Sequence, residues 1–179
     1  MENDNPSNEQ ESQPQINFSE PEIQLALERL RTEQNLFMAI VAGLLAAGFG
    51  AGVWAAVTVL TEYQIGWLAI GIGFVVGWTI RIVGKGVDQI YGIVGAILSL
   101  IGCALGNLLS MTYIIADAEG FEYSELLTQM TFPLAIEIMS ATFSPMDIIF
   151  YAIAVYFGYK YAFRTITEED LTRALGRSF

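Results

Sequence analysis

Three ionisable residues, Arg81, Lys85 and Asp88, lie within one short turn that also contains Gly84 and Gly86. Glycines expose backbone N–H groups, and such groups beside two cations favour binding of an anionic lipid head group or of a partner's carboxylate. A purely topological interpretation stays open, in which the two cations anchor the turn on the cytoplasmic side and Asp88 caps the helix that follows.

A second polar group consists of Asn107, Glu137 and Asp147, which lie inside or beside strongly apolar segments. Polar residues in such segments are costly in a bilayer and commonly mark a solute pathway. These three residues are therefore the candidate polar contacts of a small oligomeric channel or carrier for ions or small solutes. The alternative for Glu137 is a place on an amphipathic helix that lies on the outer membrane surface with its acidic side in water.

The chain lacks the residue types that most catalytic and metal sites require. It has no histidine and a single cysteine, Cys103. These counts exclude Ser-His-Asp and Cys-His nucleophile systems, the usual zinc ligand sets and any four-cysteine metal site. The formal net charge of −11 argues against nucleic acid as a partner, because such binding needs a basic surface. We therefore expect no enzyme activity, no cofactor and no metal.

The elements that must position these residues are apolar helices. Of the 179 residues, 54% are hydrophobic and only 15% are charged, whereas soluble domains carry about a quarter charged residues. A helix needs about 20 mostly apolar residues to cross a bilayer core. The hydropathy pattern therefore predicts a transmembrane domain at residues 36–163, with four spans at about 36–60, 65–83, 89–112 and 146–163.

The connection between the third and fourth spans is predicted to stay outside the bilayer. Residues 126–143 are apolar enough to suggest a fifth span, but Pro133 and Glu137 near their middle make that span costly. Four spans place all eight basic residues of the chain on or near one side, as the positive-inside rule favours. We therefore predict that both termini are cytoplasmic and that an amphipathic segment between spans three and four is external.

Polar extensions lie at both ends of the predicted membrane domain. Residues 1–18 are polar and acidic, which predicts a disordered tail. Residues 19–35 predict a cytoplasmic or interfacial helix that runs on into span one, and residues 164–179 predict a short cytoplasmic helix. Both helices begin with the capping pattern of a hydroxyl residue followed three residues later by an acid: Ser19 with Glu22, and Thr167 with Asp170.

Glycines at a spacing of four residues mark three of the predicted spans. In lipid, helices associate by close van der Waals packing, and small residues let two backbones approach each other. These glycines are therefore predicted to pack helices, either within one subunit or against a second copy or another membrane protein. The three GxxxG pairs are Gly48 with Gly52, Gly73 with Gly77, and Gly102 with Gly106.

Two stretches of the chain have a familiar pattern. The first begins YQIG at residue 63 and ends RIVGKGVD at residue 88, and the second reads SPMDIIFYAIAVYFGYK over residues 144–160. Together they resemble a family of uncharacterised bacterial inner-membrane proteins with four spans, over roughly residues 36–165. Some members carry a zinc-ribbon head before the first span, whereas this chain has no cysteine there. The resemblance implies a bacterial inner-membrane protein and supplies no activity.

These patterns predict an all-α fold, namely an integral membrane four-helix bundle with a cytoplasmic N-terminal helical extension and an external amphipathic segment. The preferred function is non-catalytic. It is that of a scaffold, assembly factor or accessory subunit of a larger membrane complex, with a membrane-protein partner or a second copy bound in the bilayer. The alternatives are a small oligomeric channel or carrier, and an anionic-lipid-binding protein centred on Arg81 and Lys85.

Overall fold

The computed structural model describes residues 18–63 and 65–176, and every regular element within those two ranges is a helix. This confirms the predicted all-α class. The predicted disordered tail lies outside the described residues except for Phe18, as do the last three residues of the chain. The described helices are α1 Glu20–Thr32, α2 Leu36–Thr61, α3 Trp67–Gly84, α4 Gln89–Glu119, α5 Tyr123–Thr128, α6 Phe132–Thr142, α7 Pro145–Tyr161 and α8 Glu168–Ala174.

Three of these helices, α2, α3 and α4, are long and apolar enough to cross a membrane, which indicates an integral membrane protein. They coincide with the first three predicted spans, although α4 continues from Thr112 to Glu119 and reaches about 46 Å in length. The fourth predicted span corresponds to α7, whose 17 residues extend about 26 Å. By length and composition, α7 counts as a span only together with α6, to which it is joined at a 112° bend.

The core between the long helices is built from small side chains. Helix α2 contacts α3 and α4, helix α7 contacts the same two helices, and α3 and α4 contact each other. Six alanines are buried there beside a few larger side chains, and this size pattern lets the helix axes approach closely. The buried alanines are Ala39, Ala46, Ala47, Ala69, Ala154 and Ala162.

The predicted continuity between the N-terminal helix and span one is wrong. Helix α1 ends at Thr32 and α2 begins at Leu36, with Asn35 in an extended conformation between them. The Asn35 side chain accepts a hydrogen bond from the Met38 N–H at 2.9 Å, while its own N–H donates to the Gly84 carbonyl at 3.0 Å. Because asparagine is a strong N-cap and its N–H is used elsewhere, a new helix starts here.

The described part of the chain divides into two compact units, residues 18–30 with 166–176 and residues 31–63 with 65–165. In the first unit, Arg29 Nη1 donates to the Ala174 carbonyl at 2.8 Å, which joins α1 to α8. The predicted capping patterns are both present in this unit. Ser19 donates from its N–H and its hydroxyl to Glu22 Oε2, and Thr167 and Asp170 form a reciprocal capping box.

The segment between the third and fourth spans forms two short helices. The chain is broken between them, because α5 ends at Thr128 and Thr131 caps the start of α6, just before Pro133. Proline is tolerated in the first turn of a helix, where its missing N–H has no intrahelical partner anyway. Both α5 and α6 contact α4, and neither contains a lysine or arginine.

Candidate functional site

The turn between α3 and α4 separates the residues that the sequence grouped together. Lys85 ends α3 in a left-handed conformation with φ of 49°, and its N–H donates to the Arg81 carbonyl at 3.1 Å. Asp88 is held by different partners: Arg31 Nε lies 3.0 Å from its Oδ1, and Gln34 Nε2 lies 2.9 Å from its Oδ2. The aspartate therefore connects the start of α4 to the residues that precede α2, and its carboxylate faces Arg31.

The side chain of Asp88 does not cap α4, and Gln34 binds the turn just before this helix. Asp88 occupies the N-cap position of α4 but its side chain accepts no hydrogen bond from the helix. Gln34 Oε1 instead accepts from the N–H groups of Val87 and Asp88, at 3.0 and 3.3 Å. Gln34 is 54 residues from Asp88 in the sequence, so no local spacing pattern could have identified it.

Replacing Gln34 by alanine is expected to lower the free energy of unfolding by about 1 kcal/mol, because two partly buried backbone donors and the Asp88 carboxylate lose a partner. Thermal unfolding of the purified protein in detergent would measure the change. Gln24→Ala is the matched control, since Gln24 is exposed on α1. Equal melting temperatures for the two variants would contradict the bracing role.

The cations at this end of the unit line a small pocket with a residue that sequence reasoning missed. Arg81 and Lys85 are joined there by Arg164 and Ile82, around a cavity of about 220 Å³. Arg164 is positioned by its backbone, because its N–H donates to the Gly86 carbonyl at 2.8 Å. Within residues 18–63 and 65–176, neither Arg81 nor Lys85 forms an ion pair. We call Arg81, Lys85 and Arg164 the basic pocket.

An apolar groove adjoins the basic pocket along α3. It has a volume of about 430 Å³ and is lined by Phe74, Trp78, Ile82, Tyr161 and the stem of Arg81. The rings are ordered by edge-to-face contacts, with the Phe74 centroid 5.0 Å from that of Trp78 and 5.1 Å from that of Tyr161. Arg81 and Ile82 line both cavities, so the groove and the basic pocket are adjacent.

Of the three residues predicted as a polar site, two, Asn107 and Asp147, both interact with Tyr151. Asn107 and Asp147 are buried, with exposed fractions of 2% and 1%, whereas Glu137 is exposed on α6. Asn107 Nδ2 donates to the Tyr151 hydroxyl at 3.3 Å, and Asp147 Oδ2 accepts from the Ser144 N–H at 2.8 Å. Asn107 thus fastens α4 to α7, and Asp147 completes the capping box that starts α7.

The three GxxxG pairs have different surroundings. A methyl group added at Gly73 would lie 2.6 Å from the Ala154 carbonyl oxygen of α7, and one added at Gly106 would lie 2.8 Å from Trp54 Cβ of α2. Their pair partners, Gly77 and Gly102, make similar contacts. In contrast, nothing lies within 4 Å of a methyl group added at Gly48 or at Gly52. This last pair does not pack against any described part of the chain.

Two glycines outside any GxxxG pair face each other where α4 and α7 pack together. A methyl group added at Gly158 of α7 would clash with Ser99 Oγ and lie 2.5 Å from the Gly95 carbonyl oxygen of α4. A methyl group at Gly95 would in turn clash with the Gly158 carbonyl oxygen. Since the two glycines come from distant helices, only the packed structure shows that they face each other.

Comparison with protein families, with curated proteins and with solved structures gives no match to this chain. Within residues 18–63 and 65–176, no three histidine, cysteine, aspartate or glutamate side chains lie close enough together to hold a metal ion. Two features within the described residues are suited to binding a partner or a ligand, namely the uncovered face of α2 and the basic pocket with its groove.

Proposed function

We propose that this protein is a non-catalytic, multi-pass protein of the bacterial inner membrane that serves as a scaffold or accessory subunit of a larger membrane complex. In this proposal, α2 is the binding element and its occupant is a transmembrane helix of another membrane protein. The observation that carries the proposal is the uncovered Gly48 and Gly52 pair, since the other two GxxxG pairs are covered within the chain.

The surface around this pair has the form of a helix-packing groove. Gly48 and Gly52 lie one turn apart, and Leu45 and Phe49 beside them are 72% and 70% exposed. Only 22% of the apolar window of α2 is buried, against 39% for α3 and 44% for α4. Lipid tails solvate leucine and phenylalanine well, but a glycine groove gains van der Waals contact only when a second helix enters it.

The proposal includes four spans in a bundle, with both termini in the cytoplasm. Four of the basic residues, Arg81, Lys85, Lys160 and Arg164, lie at or just beyond the C-terminal ends of α3 and α7. The segment at the other end of these helices, residues 113–144, contains acids and no lysine or arginine. This asymmetry supports a cytoplasmic position for the basic end, because loops rich in lysine and arginine are retained on that side.

The double variant Gly48→Leu with Gly52→Leu is expected to abolish association while leaving the fold intact. Leucine would fill the groove, and a Cβ atom added at either position has nothing within 4 Å of it in the described part of the chain. Crosslinking in native membranes, followed by purification and mass spectrometry, would measure the amount of partner retained. We expect at least a tenfold loss with an unchanged melting temperature.

The matched control is Val53→Leu with Leu60→Phe, which adds apolar bulk at two exposed positions of the same helix away from the line of Gly48 and Gly52. This control should retain the partner. Retention of the partner by the glycine double variant would contradict the proposal, as would a wild-type protein that is a monomer after crosslinking. A crosslinked product that contains only this chain would show that the occupant is a second copy.

A further inference from the structure

We propose that the basic pocket and the apolar groove form one binding site for an anionic phospholipid. The phosphate of the head group would lie between Arg81, Lys85 and Arg164, and an acyl chain would lie in the groove along Phe74, Trp78 and Ile82. This site is separate from the α2 face and goes beyond the proposed association function.

The local charge at this site is opposite to that of the whole chain. The chain has a formal net charge of −11, yet three cations line a pocket of about 220 Å³. The nearby acid in the sequence, Asp88, is held by Arg31 and Gln34. Arg81 and Lys85 form no ion pair within the described residues, so they attract an anion, and the half-buried position of Arg81 strengthens that attraction.

The apolar groove and the basic pocket follow each other along α3, as the acyl chains and the head group do in a phospholipid. Phe74, Trp78 and Ile82 recur every four residues and so share one helix face, while Arg81 and Lys85 follow at the C-terminal end of the same helix. Because α3 is one of the three helices long and apolar enough to cross a bilayer, its end lies at the membrane surface. The aromatic part of the site then faces acyl chains, and the cations face head groups.

The adjacency of the two cavities favours a lipid over a soluble anion. A free phosphate would use only the basic pocket, and a partner's carboxylate would leave the groove of about 430 Å³ without an occupant. A phospholipid fills both, and the volume of the groove lies within the usual range of about 300–1,000 Å³ for small-molecule sites. Arg164 adds a third cation from beyond α7, so the pocket can hold a phosphate from two sides.

Native mass spectrometry of the full chain, released from detergent with equal amounts of phosphatidylglycerol and phosphatidylcholine of the same acyl chains, tests the head-group preference. Wild type should retain the anionic lipid in excess. Arg81→Gln with Lys85→Gln should reduce that excess about fivefold for each cation removed. Arg29→Gln with Arg173→Gln removes the same charge from residues that line neither the pocket nor the groove and should keep the excess. Equal loss in both double variants would overturn the proposal.

Fluorescence of Trp78 tests the groove independently. Trp78 is 48% exposed in the groove, Trp54 is 1% exposed in the core, and Trp67 can be removed as Trp67→Phe. In vesicles, phosphatidylglycerol with brominated acyl chains should quench the fluorescence more than brominated phosphatidylcholine, and Arg81→Gln with Lys85→Gln should abolish the difference. Equal quenching by both lipids would show that the head group has no influence and would overturn the lipid assignment. Loss of the difference on adding inorganic phosphate would overturn it too, because it would show a pocket for free anions only.

Discussion

Replacing Gly158 by alanine is expected to lower the free energy of unfolding by about 3 kcal/mol, and replacing it by leucine is expected to prevent accumulation of the folded protein. The added methyl group would clash with Ser99 Oγ and lie 2.5 Å from the Gly95 carbonyl oxygen. A side chain can rotate away, but a helix carbonyl cannot move without displacing the helix. The crossing of α4 and α7 would therefore have to widen, and the contacts along both helices would weaken.

Thermal unfolding in detergent and the level of protein in membranes would measure this effect. Gly71→Ala is the matched control, because Gly71 lies on α3 and nothing is within 4 Å of the methyl group that it would gain. Alanine is the better helix former, so this control should be neutral or stabilising by up to about 1 kcal/mol. A Gly158→Ala protein that melts together with Gly71→Ala would contradict the close α4–α7 contact.

Cysteine labelling is expected to give an all-or-none difference between the two ends of the membrane domain. Glu119 lies at the end of α4 and Thr165 lies beyond α7, and both are exposed. If the basic end is cytoplasmic, Glu119→Cys should react with a membrane-impermeant maleimide in intact cells and Thr165→Cys should not. After permeabilisation, both should react.

The native Cys103 serves as the internal control of this experiment. It is buried with an exposed fraction of 0%, so the unmodified protein should remain unlabelled in both conditions. Labelling of both introduced cysteines in intact cells would contradict four spans, because it would place the end of α4 and the end of α7 in one compartment. The reverse pattern, with only Thr165→Cys labelled, would keep the spans and invert their orientation.

The sequence by itself determined that the long segments are apolar helices and that their environment is lipid. The uncharged run at residues 36–60 and the low charge content required helices in lipid, and the ends of α2 and α3 fall within two residues of the predicted spans. Capping at Thr167 with Asp170 was equally predictable. These features depend on hydropathy and on contacts three or four residues apart, so each can be derived from a short window of sequence.

The tertiary structure alone decided which residues meet. Three GxxxG pairs look equivalent as sequence, yet Gly73 and Gly106 face neighbouring helices while Gly48 faces outward. Likewise, Asp88 lies next to two cations in the sequence but pairs with Arg31, and Arg164 takes its place at the basic pocket. The physical reason is that helix rotation and packing are fixed by many contacts between distant segments, and in lipid a small-residue stripe can face a neighbour within the chain or one outside it.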